Sequence, residues 1–294
     1  MYYYDFLIAG LLIRVESQYE LKAFHQLSDF RQDYRPQIKP DAYYLLQDLP
    51  RDWEVKGDLV CSQQKSAVYL WQGQRHRYFY WRGTEAQYVL LAQQENDPYT
   101  GTIFIQEQDK DRLLAEFRLS AFFSMEWLLL QHDAFQLHAS VIDWNGRGIL
   151  FTAPSGTGKS TQARLWQEEE GARIINGDRG ILRRVDGAYR VYGSPYAGTS
   201  GVYVNRWVSV DAVVVLSQGK ENQLEQLNRV TAFSKLYQQA TVAAWDPRFV
   251  EGMSELLTDL IMQVPVYQFS CRPDANAVKV LKTELEKPHL NEDF

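Results

Sequence analysis

Apolar and polar positions follow two regimes along the chain. Up to about residue 110, short runs rich in β-branched and aromatic residues alternate with turn formers, which predicts strands. Residues 67–71 and 75–81 are two such runs, and Gln72, Gly73 and Gln74 between them predict a hairpin. Residues 88–91 and 102–105 predict two further short strands, separated by the turn-rich stretch 96–101. Residues 31–58 hold three prolines and many charges, and are expected to form a long loop with little regular structure.

The second regime begins at residue 111. Residues 111–132 lack glycine and proline, and Leu114, Phe117, Ala121, Trp127 and Leu128 recur at helical spacing, which predicts one or two connecting helices. From residue 137 a new set of elements follows. Strands at 137–144 and 148–152 flank the hairpin turn Asn145-Gly146. A loop at 153–160 leads into a helix at 160–170, then a strand at 173–176. Strands at 181–185 and 189–193 flank the Asp186-Gly187 turn, and the near-continuous apolar run 210–216 reads as a fully buried strand. Helices are expected at 228–241 and 247–262, a strand at 264–269, and a last helix at 274–286 with Asp274 as its N-cap.

Composition narrows the classes. The 294 residues are more than one average domain needs, and 45% hydrophobic with 23% charged residues excludes wholesale disorder. A net charge of −6 argues against a dedicated nucleic-acid binder. Cys61 and Cys271 stand far apart, outside any metal-ligand spacing, and read as two unpaired thiols. The longest apolar run, 6–13, is too short to span a bilayer and lacks a basic flank, so the expected location is the cytoplasm, with no membrane partner. Aromatic residues reach 14%, with 18 Tyr and 8 Trp. In the N-terminal half they either pack a small sheet with wet polar tips or form a face that binds an extended peptide.

The chemistry concentrates in Ala153, Pro154, Ser155, Gly156, Thr157, Gly158, Lys159 and Ser160, followed by Thr161. A strand before it and a helix after it give the context of a Walker A phosphate loop. Gly156 and Gly158 let backbone N–H groups turn toward phosphates, and the helix N-terminus adds partial positive charge. Lys159 is placed to reach β- and γ-phosphates, and the Ser160 hydroxyl to ligand Mg²⁺. Ala153 stands where the pattern has its first glycine; a methyl group costs little there if φ is negative. The antiparallel hairpins on both sides predict a mixed sheet instead of the parallel core of ordinary phosphate-loop NTPases.

Residues 137–140 (Leu-His-Ala-Ser), the Asn145-Gly146 turn, residues 148–151, the loop 153–161 and the run 173–178 together resemble the catalytic domain of HPr kinase. More broadly they resemble the HPr kinase and phosphoenolpyruvate carboxykinase group. The likeness spans roughly residues 134–217; the N-terminal half is unlike the HPr kinase N-terminal domain. The whole arrangement looks more like the HPr kinase-like enzymes of lasso-peptide and related biosynthesis, which phosphorylate a serine of a precursor peptide.

The resemblance implies an α+β or α/β fold class: a β-rich N-terminal domain followed by a mixed-sheet HPr kinase-like phosphate-loop domain with flanking helices. The corresponding boundaries are 1–110 for the β-rich domain, a candidate for substrate recognition, 111–133 for a connecting helix, 134–288 for the catalytic domain and 289–294 for a tail. It implies catalytic roles for Asp178, His138 and Lys159, nucleotide binding by residues 153–161, and Mg²⁺ binding by Ser160 and Asp178. The cofactors implied are ATP and Mg²⁺, and the partner is a peptide or protein carrying a Ser or Thr hydroxyl. A homo-oligomer is compatible with the sequence.

Two readings stay open beside this one: a kinase of small hydroxyl compounds such as free serine or a sugar, and a non-catalytic nucleotide-binding regulator. The family usually has two adjacent acids where this chain has Gly177 and Asp178, which leaves the base and metal roles of Asp178 unseparated. It also weakens the case for the reverse, dephosphorylating activity. Asp178 has an alternative as a turn residue before Arg179, and His138 as a hydrogen-bonded strand residue. The small-residue loop 193–201 is either a cover for the site or a connector. Arg206 is a candidate for phosphate charge compensation, and at most one of Arg183 and Arg184 can face the site.

Overall fold

The computed structural model describes residues 1–22, 24–80, 87–111 and 122–287. Two compact units divide the chain, one of Met1–Gln131 with Ala244–Pro247, the other of His132–Ala243 with Arg248–Phe294. In the first, the strands are β1 (Tyr2–Ile8), β2 (Leu11–Ser17), β3 (Arg31–Gln32), β4 (Ala42–Asp48), β5 (Asp58–Gln63), β6 (Ser66–Trp71), β7 (Gln74–Tyr80), β8 (Tyr88–Gln94) and β9 (Thr100–Ile105). Its described residues form a nine-stranded sheet in the order β3-β1-β2-β4-β9-β8-β7-β6-β5. β4 runs parallel to both of its neighbours, and the other pairs are antiparallel.

The predicted hairpin of β6 and β7 is present. The long loop expected over 31–58 is not: β3, β4 and the first residue of β5 lie within it. β4 is central, and its alternate residues Ala42, Tyr44 and Leu46 have no solvent exposure. Prolines flank that strand without entering it and its one charge, Asp48, stands at its end, so composition over the whole stretch hid a short alternating core. The connecting helix expected over 111–132 falls largely on residues 112–121, outside the described residues; what is described of it includes α1 (Met125–Leu130).

The second unit carries β10 (Ala134–Trp144), β11 (Arg147–Thr152), β12 (Arg173–Asn176), β13 (Arg179–Val185), β14 (Ala188–Tyr192), β15 (Trp207–Gln218), β16 (Gln223–Gln226) and β17 (Val266–Cys271). Its helices are α2 (Lys159–Glu170), α3 (Arg229–Tyr237), α4 (Pro247–Gln263) and α5 (Ala275–Leu285). The sheet is mixed, as expected. β11, β15 and β17 are parallel neighbours, and β10 lies antiparallel against β11. On its other side β10 pairs with β13 through residues 134–138 and with β12 through residues 141–143.

α2 has weak reasons of its own to be a helix. It ends in Glu168, Glu169 and Glu170, a run that opposes the helix dipole. Burial holds it instead. Ala163 and Trp166 sink into a core with Ile142, Trp144, Phe151, Phe269 and Leu281, and the Trp166 ring meets Trp144 edge-on at 5.1 Å. A side chain of that size contributes about 2–3 kcal/mol on burial. Lys282 of α5 pairs with Glu170 at 2.8 Å, and Gly171, left-handed at φ 65°, terminates the helix. α5 starts as predicted, with the Asp274 carboxylate accepting from the Ala277 N–H. No helix among the described residues is long and apolar enough to cross a membrane. Both cysteines are free thiols.

Candidate functional site

The sheet order assembles the site. At the level of His138, β10 has β11 ending on one side and β13 beginning on the other. Ala139 pairs with Thr152, the last residue of β11, and His138 pairs with Arg179, the first of β13. The loop that leaves β11 and the turn that enters β13 therefore meet at one end of β10. Thr152 Oγ1 donates to the His138 carbonyl at 2.9 Å, and the Ala139 N–H donates to the Asp178 carbonyl at 2.9 Å.

Residues 153–161 form an open loop running into α2. Pro154, Ser155 and Gly156 are exposed, whereas Thr157, Gly158, Ser160 and Thr161 are half-buried. Gly156 and Gly158 take φ of +80° and +123°, conformations that side chains rarely adopt. Ala153 is not among the residues with positive φ, and its methyl is fully buried in the core beneath. The methyl that replaces the usual glycine thus adds packing without strain. No side chain caps the first turn of α2, and no acid sits there, which leaves its N-terminal N–H groups suited to an anion. The buried Lys159 ammonium spans the loop, donating to the carbonyls of Ala153 at 2.8 Å and Pro154 at 3.3 Å.

Across from it stand His138 and Asp178, with Nε2 3.6 Å from Oδ1, beyond hydrogen-bonding reach. Their side chains are 28% and 29% exposed, so both are open to a reactant. Burial depresses the His138 imidazole, and the Lys159 ammonium depresses it further, against a smaller opposing pull from Asp178. Burial also lowers Lys159, again opposed by Asp178. These three side chains, which the sequence reading singled out, therefore share one electrostatic environment.

Two members of the site escaped sequence reasoning. Asn176, fully buried, accepts from the N–H groups of Asp178 at 2.9 Å and Arg179 at 2.7 Å, and donates to the carbonyls of Ser194 and Tyr196. It fixes the turn that presents Asp178. Arg179 places Nε 3.7 Å from Asp178 Oδ2 and donates to Thr241 Oγ1 at 3.0 Å. Its signal was available, since the first residue of a strand next to a turn acid is on hand to pair with it. Ser140 adds a bond to the Gly177 carbonyl at 3.2 Å.

Gly177 explains the missing second acid. A Cβ there would lie 1.8 Å from Ser200 Oγ and 2.5 Å from Ser200 Cβ, and a Cβ at Gly198 would lie 2.7 Å from the Asp178 carboxylate. The loop 193–201 thus packs against the Asp178 turn. Arg206 does not join the site. It pairs with Asp143 at 3.3 Å, five residues along β10 from His138 and so roughly 16 Å away. Arg184 pairs with Asp133 at 3.3 Å and Asp259 at 3.2 Å.

Ser160 and Asp178 offer hard oxygen donors, which suit Mg²⁺ bound chiefly through water and phosphate oxygens. Among the described residues no group of three or more His, Cys, Asp or Glu forms a protein-only metal cage. The donor set fits an ion that arrives with a polyphosphate.

Comparison with known proteins gives three results. The family model for SynChlorMet cassette protein ScmC matches residues 108–272, more than half of the chain. No curated protein matches. Matching solved structures include the Hpr(Ser) kinase/phosphatase from Coxiella burnetii, at 14% identity and a TM-score of 0.29, over 51% of this chain and 92% of that one.

Two outcomes check this geometry. In an NMR titration the His138 imidazole should have its midpoint below 6.5; Lys159→Ala should raise it by removing a cation, and Asp178→Asn should lower it by removing an anion. A midpoint at or above 6.5 that ignores Lys159 would contradict the shared environment. Gly177→Ala should destabilise the protein by about 1–3 kcal/mol in urea unfolding, and Ser200→Gly in the same chain should restore most of that.

Proposed function

We propose that this chain, which belongs to the family of SynChlorMet cassette protein ScmC, is a phosphotransferase that uses ATP and Mg²⁺ to phosphorylate a Ser or Thr hydroxyl of a peptide or protein. The supporting observation is the convergence of a phosphate-loop lysine, a neutral histidine and one half-exposed carboxylate at one end of β10. A precursor peptide of a modified-peptide pathway is the acceptor that the sequence resemblance favours. The reaction is expected to take place in the cytoplasm, without nucleic acid or membrane as partner.

In this reading residues 153–161 hold the phosphates through backbone N–H groups and the start of α2. Lys159 exchanges its loop carbonyls for phosphate oxygens and offsets charge as it shifts toward them. Ser160 and Asp178 hold Mg²⁺, which supplies charge neutralisation on the phosphates when bound. Asp178 accepts the hydroxyl proton, and His138, kept neutral by burial and Lys159, orients that hydroxyl through its ring nitrogens. With Gly177 beside it, Asp178 serves both as base and as metal ligand. That economy also motivates the competing reading of a nucleotide-binding regulator without turnover.

Incubation with ATP, Mg²⁺ and hydroxyl-bearing peptides should add the mass of one phosphoryl group. Asp178→Asn should keep nucleotide binding and slow transfer roughly 10²–10⁴-fold, the range for loss of a general base. Lys159→Ala should weaken binding itself. Transfer to free serine or a sugar but to no peptide would favour the small-molecule reading. Nucleotide binding without transfer to any acceptor would favour the regulator.

A further inference from the structure

The end of β10 that carries His138 has a further neighbour. β11 ends at Thr152, opposite Ala139, so one edge of β10 loses its partner beside the site. β13 holds the other edge there, pairing with residues 134–138. Residues 239–241, which follow α3, take the vacated edge. The His138 N–H donates to the Gln239 carbonyl at 2.9 Å, Ala240 bridges to Leu137, and the Thr241 N–H donates to the Gln136 carbonyl at 3.0 Å.

That ladder makes Thr241 a fixed post. Arg179 starts β13, on the far side of β10, and its side chain crosses that strand to donate from Nη1 to Thr241 Oγ1 at 3.0 Å. Arginine carries donors only, so the hydroxyl accepts. The same guanidinium meets Asp178. Nε lies 3.7 Å from Oδ2, an ion pair without a hydrogen bond, while His138 Nε2 stands 3.6 Å from Oδ1. The carboxylate is therefore bracketed, one oxygen toward each neighbour. With the Arg179 side chain 42% exposed, such a pair holds little by itself, because water screens it and two side chains must be ordered. The bond to Thr241 removes part of that cost, since the planar guanidinium is already set when Asp178 meets it.

We propose that Arg179, anchored by Thr241, is a positioning residue for Asp178, holding Oδ2 so that Oδ1 stays turned to the acceptor hydroxyl beside His138. This role rests on the phosphoryl-transfer reading and adds residues 239–241 to its site.

The test compares Thr241→Val, which removes the hydroxyl, with Thr241→Ser, which keeps it. In transfer from ATP with Mg²⁺ to a mixture of capped peptides containing Ser and Thr, Thr241→Val should lower the rate at saturating ATP roughly 10–100-fold, with the KM for ATP unchanged. Thr241→Ser should restore the rate, and Arg179→Gln should lower it at least as far as Thr241→Val. A second readout needs no acceptor. The His138 ring is faced by Lys159 of α2, Asp178 of the turn, Arg179 of β13 and Gln239 of the added segment, and Arg179 is one of the cations that lower it. Freeing that cation in Thr241→Val should raise the His138 NMR midpoint, Arg179→Gln should raise it too, and Thr241→Ser should leave it in place. Either a full rate or an unmoved midpoint in Thr241→Val would overturn the proposal, as would a loss that Thr241→Ser does not restore. Should Thr241→Val unfold, Arg179→Gln takes its place in both readouts. If the unaltered chain transfers phosphate to no acceptor, the phosphoryl-transfer reading fails, and the midpoints alone decide whether Thr241 anchors Arg179.

Discussion

The buried amide of Asn176 is the interaction on which the candidate site depends. A turn between two strands that pair with the same neighbour has no regular ladder of its own. Here one side chain supplies what the ladder lacks, accepting from the N–H groups of Asp178 and Arg179 while donating into the Ser194–Tyr196 segment. With the turn held, Gly177 can press against Ser200, and Asp178 is presented beside His138 instead of swinging into solvent. Each of these contacts lies on a segment remote in sequence from the phosphate loop. Only β10, pairing with β11 and β13 at once, brings them to it.

Electrostatics follows from that placement. Burying an ammonium and an imidazole in the field of one carboxylate is costly unless the charges compensate. The site resolves this by keeping His138 neutral and tying Lys159 to two backbone carbonyls, so that a single cation faces a single carboxylate there, with Arg179 at the more exposed margin. The uncapped, acid-free start of α2 then supplies the positive potential for an anion. The same economy explains why the turn tolerates one acid only: steric contact with Ser200 removes the second, whatever its chemistry might have offered.

Legibility in the sequence tracks how local each cause is. The loop 153–161 between β11 and α2 was readable because strand end, glycines, lysine and helix start lie within about ten consecutive residues. The two turns Asn145-Gly146 and Asp186-Gly187 were readable for the same reason, and all four residues take the positive φ that such dipeptides favour. β4 was missed because its place, parallel to both β2 and β9, rests on partners far along the chain, while its flanks read as loop. Asn176 read as a strand-end residue, since its partners at Ser194 and Tyr196 lie eighteen and twenty positions on. The aromatic surplus divides. Tyr44 and Tyr78 are core residues, whereas Tyr43, Trp53 and Phe104 are half-exposed. Composition cannot separate neighbours such as Tyr43 and Tyr44, which strand alternation sends to opposite faces.

The central claim is that His138, Lys159 and Asp178 act on one phosphoryl group. A crystal structure of the chain with Mg²⁺ and a non-hydrolysable ATP analogue tests it most directly. The account predicts the γ-phosphate within hydrogen-bond reach of Lys159 Nζ, the metal on Ser160 with Asp178, and His138 beside the open face of that phosphate. Phosphates bound away from residues 153–161, or a γ-phosphate pointing away from both His138 and Asp178, would contradict it.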